Sequence, residues 1–300
     1  MSTRKWLNAR LRDIQAKLAD LGHAVSLPVI GRLLKAHDYR LQSNHKDAEG
    51  ASPPERDRQF AYIQEQRQAY TQAGQPILSI DTKKKELVGN FKNAGQIWCD
   101  QPEIVNTHDF PGDAEGRAVP YGIYDLQHNQ ADVYVGQAAD TPEFAVDNLA
   151  SWCRTELRPR FPNATQLLLL ADGGGANASR SRVFKRDLQV KIADTFGLSV
   201  TVCHYPPGAS KWNPIEHRLF SEISKTWRGC PLRSFEAVLH YIDDTTTQTG
   251  LTVHAHLITQ LYQTGGTVAK QVMDTLNIHF HDVCPQWNYT IAPHPQAPFP

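Results

Sequence analysis

Asp81, Asp172 and Glu216 are the residues from which chemistry can be built. Asp81 closes the run PILSID, Asp172 closes QLLLLAD directly before Gly173, Gly174 and Gly175, and Glu216 lies in KWNPIEHRLF. Carboxylates are hard oxygen ligands, and several brought together suit a divalent cation such as magnesium. Held side by side without a cation they repel, and repulsion with partial burial raises the pKa of one of them. Each acid also has a plainer reading. Asn213, Pro214 and Glu216 have the spacing of a helix capping box, with asparagine at the N-cap and glutamate at the third helical position. Asp172 before glycine is an ordinary turn sequence. A turn, however, needs neither four leucines leading into it nor three glycines leaving it, and glycines permit close backbone approach to a phosphodiester. Cap and ligand roles are compatible at Glu216, because the partial positive charge of a helix N-terminus keeps a glutamate ionised there. Glu222, six residues on, points about 240° round the helix and faces elsewhere.

To bring these acids together the chain must fold as a sheet. PILSID, AVPYGIYDL and ADVYVGQ read as strands, the last two joined by a polar turn as an antiparallel hairpin. Thr141 caps a helix through Leu157 with Pro142 at its first position. The continuous apolar run QLLLLAD is the pattern of a strand covered on both faces. A helix from Ser181 to Phe196, the strand LSVTVCHY and the NPIEH helix follow. Three strands and then alternating helix and strand give a mixed α/β sheet flanked by helices, in the order of the ribonuclease H-like fold. Ligands gather outside the carboxyl ends of parallel strands, where Asp81 and Asp172 fall.

The front of the chain is basic and helical. Up to Gly50 it carries nine Lys or Arg against five Asp or Glu, a net +4, although the whole chain is formally neutral. Ser2 can cap a helix with Trp6, Leu7, Leu11, Ile14, Leu18 and Leu21 at helical spacing, stopped by Gly22. Ser26 can cap a second, with Val29, Ile30, Leu33 and Leu34 inside and Arg32, Lys35 and Arg40 outside. The pair has the form of a helix-turn-helix, or equally of a plain helical hairpin. Residues 1–48 are therefore expected to be a helix-turn-helix-like segment and residues 49–75 a polar linker with a helix from about Pro54 to Ala73, facing inward through Phe60, Ile63 and Tyr70. Residues 76–300 are expected to be the ribonuclease H-like domain with a C-terminal extension of helix and strand.

Other features set limits. An apolar content of 40% supports a buried core. The absence of any run approaching about 18 apolar residues argues against a membrane span and for a cytoplasmic protein. Five well-separated cysteines without a CxxC pair read as reduced thiols. His279, His281 and Cys284, and His254 with His256, have short zinc-like spacings. Strand alternation in NIHFHDV explains the first set, and no fourth ligand is evident. Three glycines without a following GK[ST] do not make a nucleotide-binding loop. Basic clusters at Lys83, Lys84 and Lys85, at Arg154, Arg158 and Arg160, and at Arg180, Arg182, Lys185 and Arg186 read singly as solvated faces. Trp212 reads as a core residue or as a stacking surface for a flipped base.

SIDTKKKELVGNFKNAG, LLLLADGGGANASRSRVFKRDLQ, HYPPGASKWNPIEHRLFSEI, WRGCPLRSFEAV and TQTGL together resemble the DDE transposases of the ISAzo13 insertion-sequence family, from about Thr3 to Pro293. Ala176 stands where that pattern has serine, and Asn177 is retained. The resemblance implies that Asp81, Asp172 and Glu216 are a catalytic triad holding two Mg²⁺ or Mn²⁺ ions for phosphodiester cleavage and strand transfer. It implies DNA as partner, both terminal repeats and target, bound by a homo-oligomer associated with the bacterial nucleoid. Lys83, Lys84, Lys85, Asn177, Arg180, Arg182, Lys185, Lys211, Asn213, Arg32 and Lys35 are the expected DNA contacts. Members of the family are longer at the N-terminus, so the chain is expected to be cut within its DNA-binding region. An idle DNA-binding remnant or inhibitor of transposition is the alternative, and a plain nuclease of the same fold a third.

Overall fold

The computed structural model describes residues 9–40 and 55–295. It divides into two compact units, Met1–Gly50 and Ala51–Pro300. In the first, α1 (Leu11–Asp20) and α2 (Leu27–Ala36) are joined by a turn in which the Gln15 amide donates to the Val25 carbonyl at 2.8 Å. The helix expected from Ser2 starts later. Ala9 and Arg10 are extended or irregular, and Asp13 reaches back to accept the Arg10 N–H at 3.1 Å, satisfying one donor at the helix start. Ser2, Trp6 and Leu7 lie outside the described residues, as do residues 41–54, the end of the expected first segment and the start of the expected linker. Gly22, at φ 85°, ends α1 as expected. Ile30 is buried on α2, but Leu33 is half exposed, so the inner face is narrower than its periodicity suggests. Arg32 and Lys35 are exposed.

The second unit is built on a mixed sheet. After α3 (Arg56–Gln72) come β1 (Ile77–Thr82), a short β2 (Glu86–Val88), β3 (Gly116–Asp125) and β4 (Gln130–Gly136). The helix α4 (Pro142–Trp152) runs on through a wide π turn at Cys153–Leu157, and β5 (Gln166–Asp172) follows. A second such helix, α5, opens as Arg182–Asp187, widens over Leu188–Ala193 and closes at Asp194–Phe196, where Gly197 in the left-handed region stops it. Then come β6 (Ser199–Tyr205), a π turn at Glu216–Phe220 leading into α6 (Ser221–Thr226), and α7 (Phe235–Asp243). Last are β7 (Thr252–Ile258), α8 (Lys270–Asp274), β8 (Ile278–Phe280) and β9 (Asn288–Ile291).

The strand order is β7-β4-β3-β1-β5-β6-β9-β8, with β2 beside β3. β1, β5 and β6 are parallel neighbours, while β3 runs antiparallel to β1 and β4 antiparallel to β3. That central order is the ribonuclease H-like one expected from the chain of elements. The QLLLLAD run explains itself by alternation: Leu167 and Leu169 join the cluster under α4 and α5, whereas Leu168 and Leu170 join Ile63 and Tyr70 of α3 on the other face. The Thr141 and Ser181 hydroxyls cap α4 and α5, each accepting an N–H at 3.2 Å from the residue three on. All five cysteines are free thiols. No helix among the described residues is long and apolar enough to cross a membrane.

Candidate active site

Two acids come from the centre of this sheet. Ile80 on β1 is in register with Ala171 on β5, so Asp81 and Asp172 are the next residues at the same end of adjacent strands. Equivalent register positions point to the same face. The Asp81 carboxylate accepts the Thr82 N–H at 2.7 Å, and the Thr82 hydroxyl donates to Asp140 at 2.9 Å. Asp140 follows β4 and was not among the residues singled out from the sequence. Its charge adds to the repulsion felt by Asp81. No local motif marks it, because its relation to Asp81 exists only across the sheet.

The third acid arrives from the loop after β6. Residues Ser210–Trp212 form one tight turn, Asn213 is fully buried and Glu216 opens the helical segment that follows. Asn213 does not close the expected capping box. Its side-chain oxygen accepts the Ser79 hydroxyl at 2.5 Å, and its amide nitrogen lies 3.4 Å from both the Ile80 carbonyl and the Asp172 carboxylate. The Ser79 oxygen in turn accepts the Ile215 N–H at 3.1 Å. Ser79, on β1, is therefore the group that satisfies a buried donor at this helix start, and Asn213 is free to tie the helix to two strands at once.

Electrostatics reflect the crowding. Burial, and next the charge of Asp172, push the Asp81 carboxyl up to about 8. Burial, and next the charge of Glu216, push Asp172 up to about 6, with the Asn213 amide working in the opposite sense. Glu216 is raised by burial, while Lys83, His217 and a hydrogen bond from Asp81 pull it back. Carboxyls raised by burial and by one another mark a site short of positive charge. All-oxygen donors in that state suit a hard divalent cation. Among the described residues no three His, Cys, Asp or Glu side chains already converge tightly enough to enclose an ion. The carboxylates are near enough to alter one another's protonation.

The expected DNA contacts divide into two groups. Lys84, Arg180, Arg182 and Lys211 are exposed, and Lys85 stands 4.0 Å from Asp140 at the site's edge. The others turn inward. Lys83 is 7% exposed, with its ammonium 4.6 Å from the Trp227 ring centre and 3.8 Å from Glu86. Lys185 donates to the Ser179 carbonyl at 2.5 Å and lies over the Tyr289 ring at 5.0 Å. Asn177 is buried below the glycine loop, accepting the Tyr121 hydroxyl at 2.9 Å while its carbonyl meets a ring nitrogen of buried His204 at 2.8 Å. Gly175 needs its positive φ of 63°, and a Cβ at Gly174 would meet nothing within 4 Å, so the loop beside Asp172 is open to a ligand. Trp212 is not a core residue: it is 53% exposed and touches Phe60 edge-on. Of the zinc-like spacings, His281 has both ring nitrogens engaged, by Tyr62 and Thr290.

Among solved structures the chain is similar to a Mos1 transposase paired-end complex with left transposon end, at 13% identity and TM-score 0.46, covering 81% of this chain and 73% of that one. A Mos1 strand transfer complex (13%, 0.46, 81% and 72%) and a Mos1 mariner paired-end complex with Mn (14%, 0.47, 81% and 73%) are similar to the same degree. At that level of likeness neither residue roles nor partners carry across. No curated protein matches the chain. The model of a family described as Rhodopirellula transposase DDE domain matches residues 1–293. With nearly the whole chain matched, and three acids gathered at one end of the sheet, the protein belongs to that DDE transposase family.

Proposed function

We propose that the protein is a DNA transposase that cleaves phosphodiester bonds and joins strands at the ends of an insertion sequence, with Asp81, Asp172 and Glu216 as its catalytic carboxylates. The observation that carries this reading is the mutual perturbation of three acids from remote parts of the chain, two of them held above the usual carboxylate range near neutral pH. These residues would hold two Mg²⁺ or Mn²⁺ ions, which when bound favour the attacking and leaving oxygens of an in-line displacement at phosphorus. Asn213 and Ser79 keep the Glu216 turn against β1 and β5. Lys83, set back from solvent, offsets the charge of Glu216. The open glycine loop lets a phosphodiester approach Asp172, and the exposed Lys84, Arg180, Arg182 and Lys211 contact flanking phosphates, with Arg32 and Lys35 of α2 serving DNA binding in the first unit. Joining two element ends requires two active sites on one DNA, so the working form is an oligomer acting in the cytoplasm. Supercoiled-plasmid nicking in Mg²⁺ or Mn²⁺ tests the reading, with Asp172→Asn as comparison. Cleavage by the parent alone supports it. Equal behaviour of the two proteins in nicking, with DNA still bound, would leave only a binding role.

A further inference from the structure

Beside the carboxylates lies an aromatic surface that the chemistry above does not use. Tyr205, the register partner of Asp172 at the end of β6, lies 6.0 Å from the Phe60 ring of α3, and Phe60 lies 6.0 Å from Trp212. The rings thus lead from a catalytic strand end out to solvent. The Trp212 and Phe60 planes meet at 74°, an edge contact, and Trp212 is 53% exposed. About half of the residue's surface is consequently open to solvent. Arg56, Asp57, Phe60 and Trp212 line a recess of about 400 Å³ there. The turn carrying Trp212 is held from below by buried Ala209, and the next residue, Asn213, reaches to 3.4 Å from the Asp172 carboxylate. The ring is therefore fixed one residue from the site. An open aromatic face is satisfied by another flat face. Paired DNA offers edges and phosphates outside and keeps its base faces stacked, so only an unstacked base presents one.

We propose that Trp212, backed by Phe60, is a stacking platform for one unpaired nucleobase next to the phosphodiester being cut, and that the protein prefers DNA opened at that junction. Exposed Lys211, adjacent in the same turn, meets the phosphate of that nucleotide. This inference rests on the transposase reading and names the form of DNA the site takes.

The test uses the whole chain in EDTA, so that cleavage plays no part. Duplex oligonucleotides carry 2-aminopurine either paired throughout or as a single unpaired nucleotide beside a nick. The parent and Trp212→Phe are expected to quench the unpaired 2-aminopurine and to bind that duplex more tightly than the paired one. Trp212→Ala is expected to lose the quenching and to bind the unpaired duplex roughly 5- to 150-fold more weakly, with paired-duplex affinity unchanged. Retained quenching and preference in Trp212→Ala would overturn the proposal. So would an unchanged preference accompanied by loss of self-association, which would assign the ring to a protein contact. Unpaired-base preference in a parent that nicks nothing in Mg²⁺ would leave the platform standing and sink the catalytic reading. A parent that binds neither duplex would sink both.

Discussion

Asp81 and Asp172 stand side by side because Ile80 and Ala171 are partners across two parallel strands, so the sheet holds the two carboxyls together whether or not anything neutralises them. Both are raised, to about 8 and about 6, with burial as the first cause. Carboxyls with a folded-state pKa above the unfolded value take up protons on folding. The stability tied to them is fully present below about pH 4 and is lost as pH rises towards about pH 8. In EDTA the protein is therefore expected to be less stable at pH 8.5 than at pH 5.5 by on the order of a few kcal/mol, read as a lower melting temperature at the higher pH. Mg²⁺ should raise the melting temperature most at the higher pH. Asp81→Asn should flatten the pH dependence. A melting temperature in EDTA that holds level across this range would show that the acids are not strained by their surroundings.

The bonds from Ser79 to Asn213 and from Ile215 to Ser79 tie Glu216 to the strand that carries Asp81. Ser79→Ala removes both and leaves a buried N–H and a buried amide oxygen short of partners, a cost of about 1–3 kcal/mol. The Glu216 turn should then sit less firmly, and nicking should need a higher Mg²⁺ concentration for half-maximal rate, with DNA affinity unchanged. Ser79→Thr, which keeps the hydroxyl, should recover most of the lost metal sensitivity. Chemical denaturation and a Mg²⁺ titration of plasmid nicking read the two effects separately. An unaltered titration in Ser79→Ala would remove the clamp from any account of the site.

How far the site was legible follows from where its information lies. Asp81 and Asp172 announce themselves because each ends an apolar run, and two-sided burial of QLLLLAD is written in its composition. The role of Asn213 is not local. Its spacing to Glu216 fits a capping box, but Ser79, 134 positions earlier, takes the asparagine oxygen, and no pattern in the chain pairs them. The same holds for Lys83 and Lys185, which look like parts of basic clusters until the rings of Trp227 and Tyr289 are brought under them from remote elements. Trp212, readable as a core residue or as a stacking surface, lies outside: hydrophobicity favours the core, but the tight turn Ser210–Trp212 leaves the ring half exposed. Charge and apolarity predict average placement, and function here sits at the exceptions.

Arg160 is a further exception, and it carries a prediction about stability. In sequence it belongs to an apparently solvated cluster with Arg154 and Arg158, yet it is 9% exposed and lies 3.1 Å from Asp132, 2.8 Å from Glu156 and 3.7 Å from Asp125. Asp132 and Asp125 are themselves almost wholly buried. Removing the guanidinium leaves these carboxylates without their cation, so Arg160→Met should cost about 3–5 kcal/mol in urea denaturation. Truncating Arg154, which is exposed, should cost little. A loss under about 1 kcal/mol for Arg160→Met would mean that His128 and His256, 2.8 and 3.0 Å from these acids, already supply the compensation.

Gly122 lies opposite Asp81 in the β1–β3 register, and a Cβ there would come within 2.8 Å of Ile215 and Phe220 and 3.1 Å of Leu219. Those three side chains flank Glu216 in the same helical segment, so the missing methyl sets how closely that segment approaches the sheet. The atoms met are the tips of side chains, which can shift, and the cost of Gly122→Ala should stay near about 1–3 kcal/mol. The shift itself carries Glu216 away from Asp81 and Asp172. Activity should therefore fall much further than stability: a folded protein, by circular dichroism and melting, with nicking reduced at least about 100-fold, as for a misplaced catalytic group. Nicking that declines only in proportion to the folded fraction would show that Glu216 need not be held at this distance.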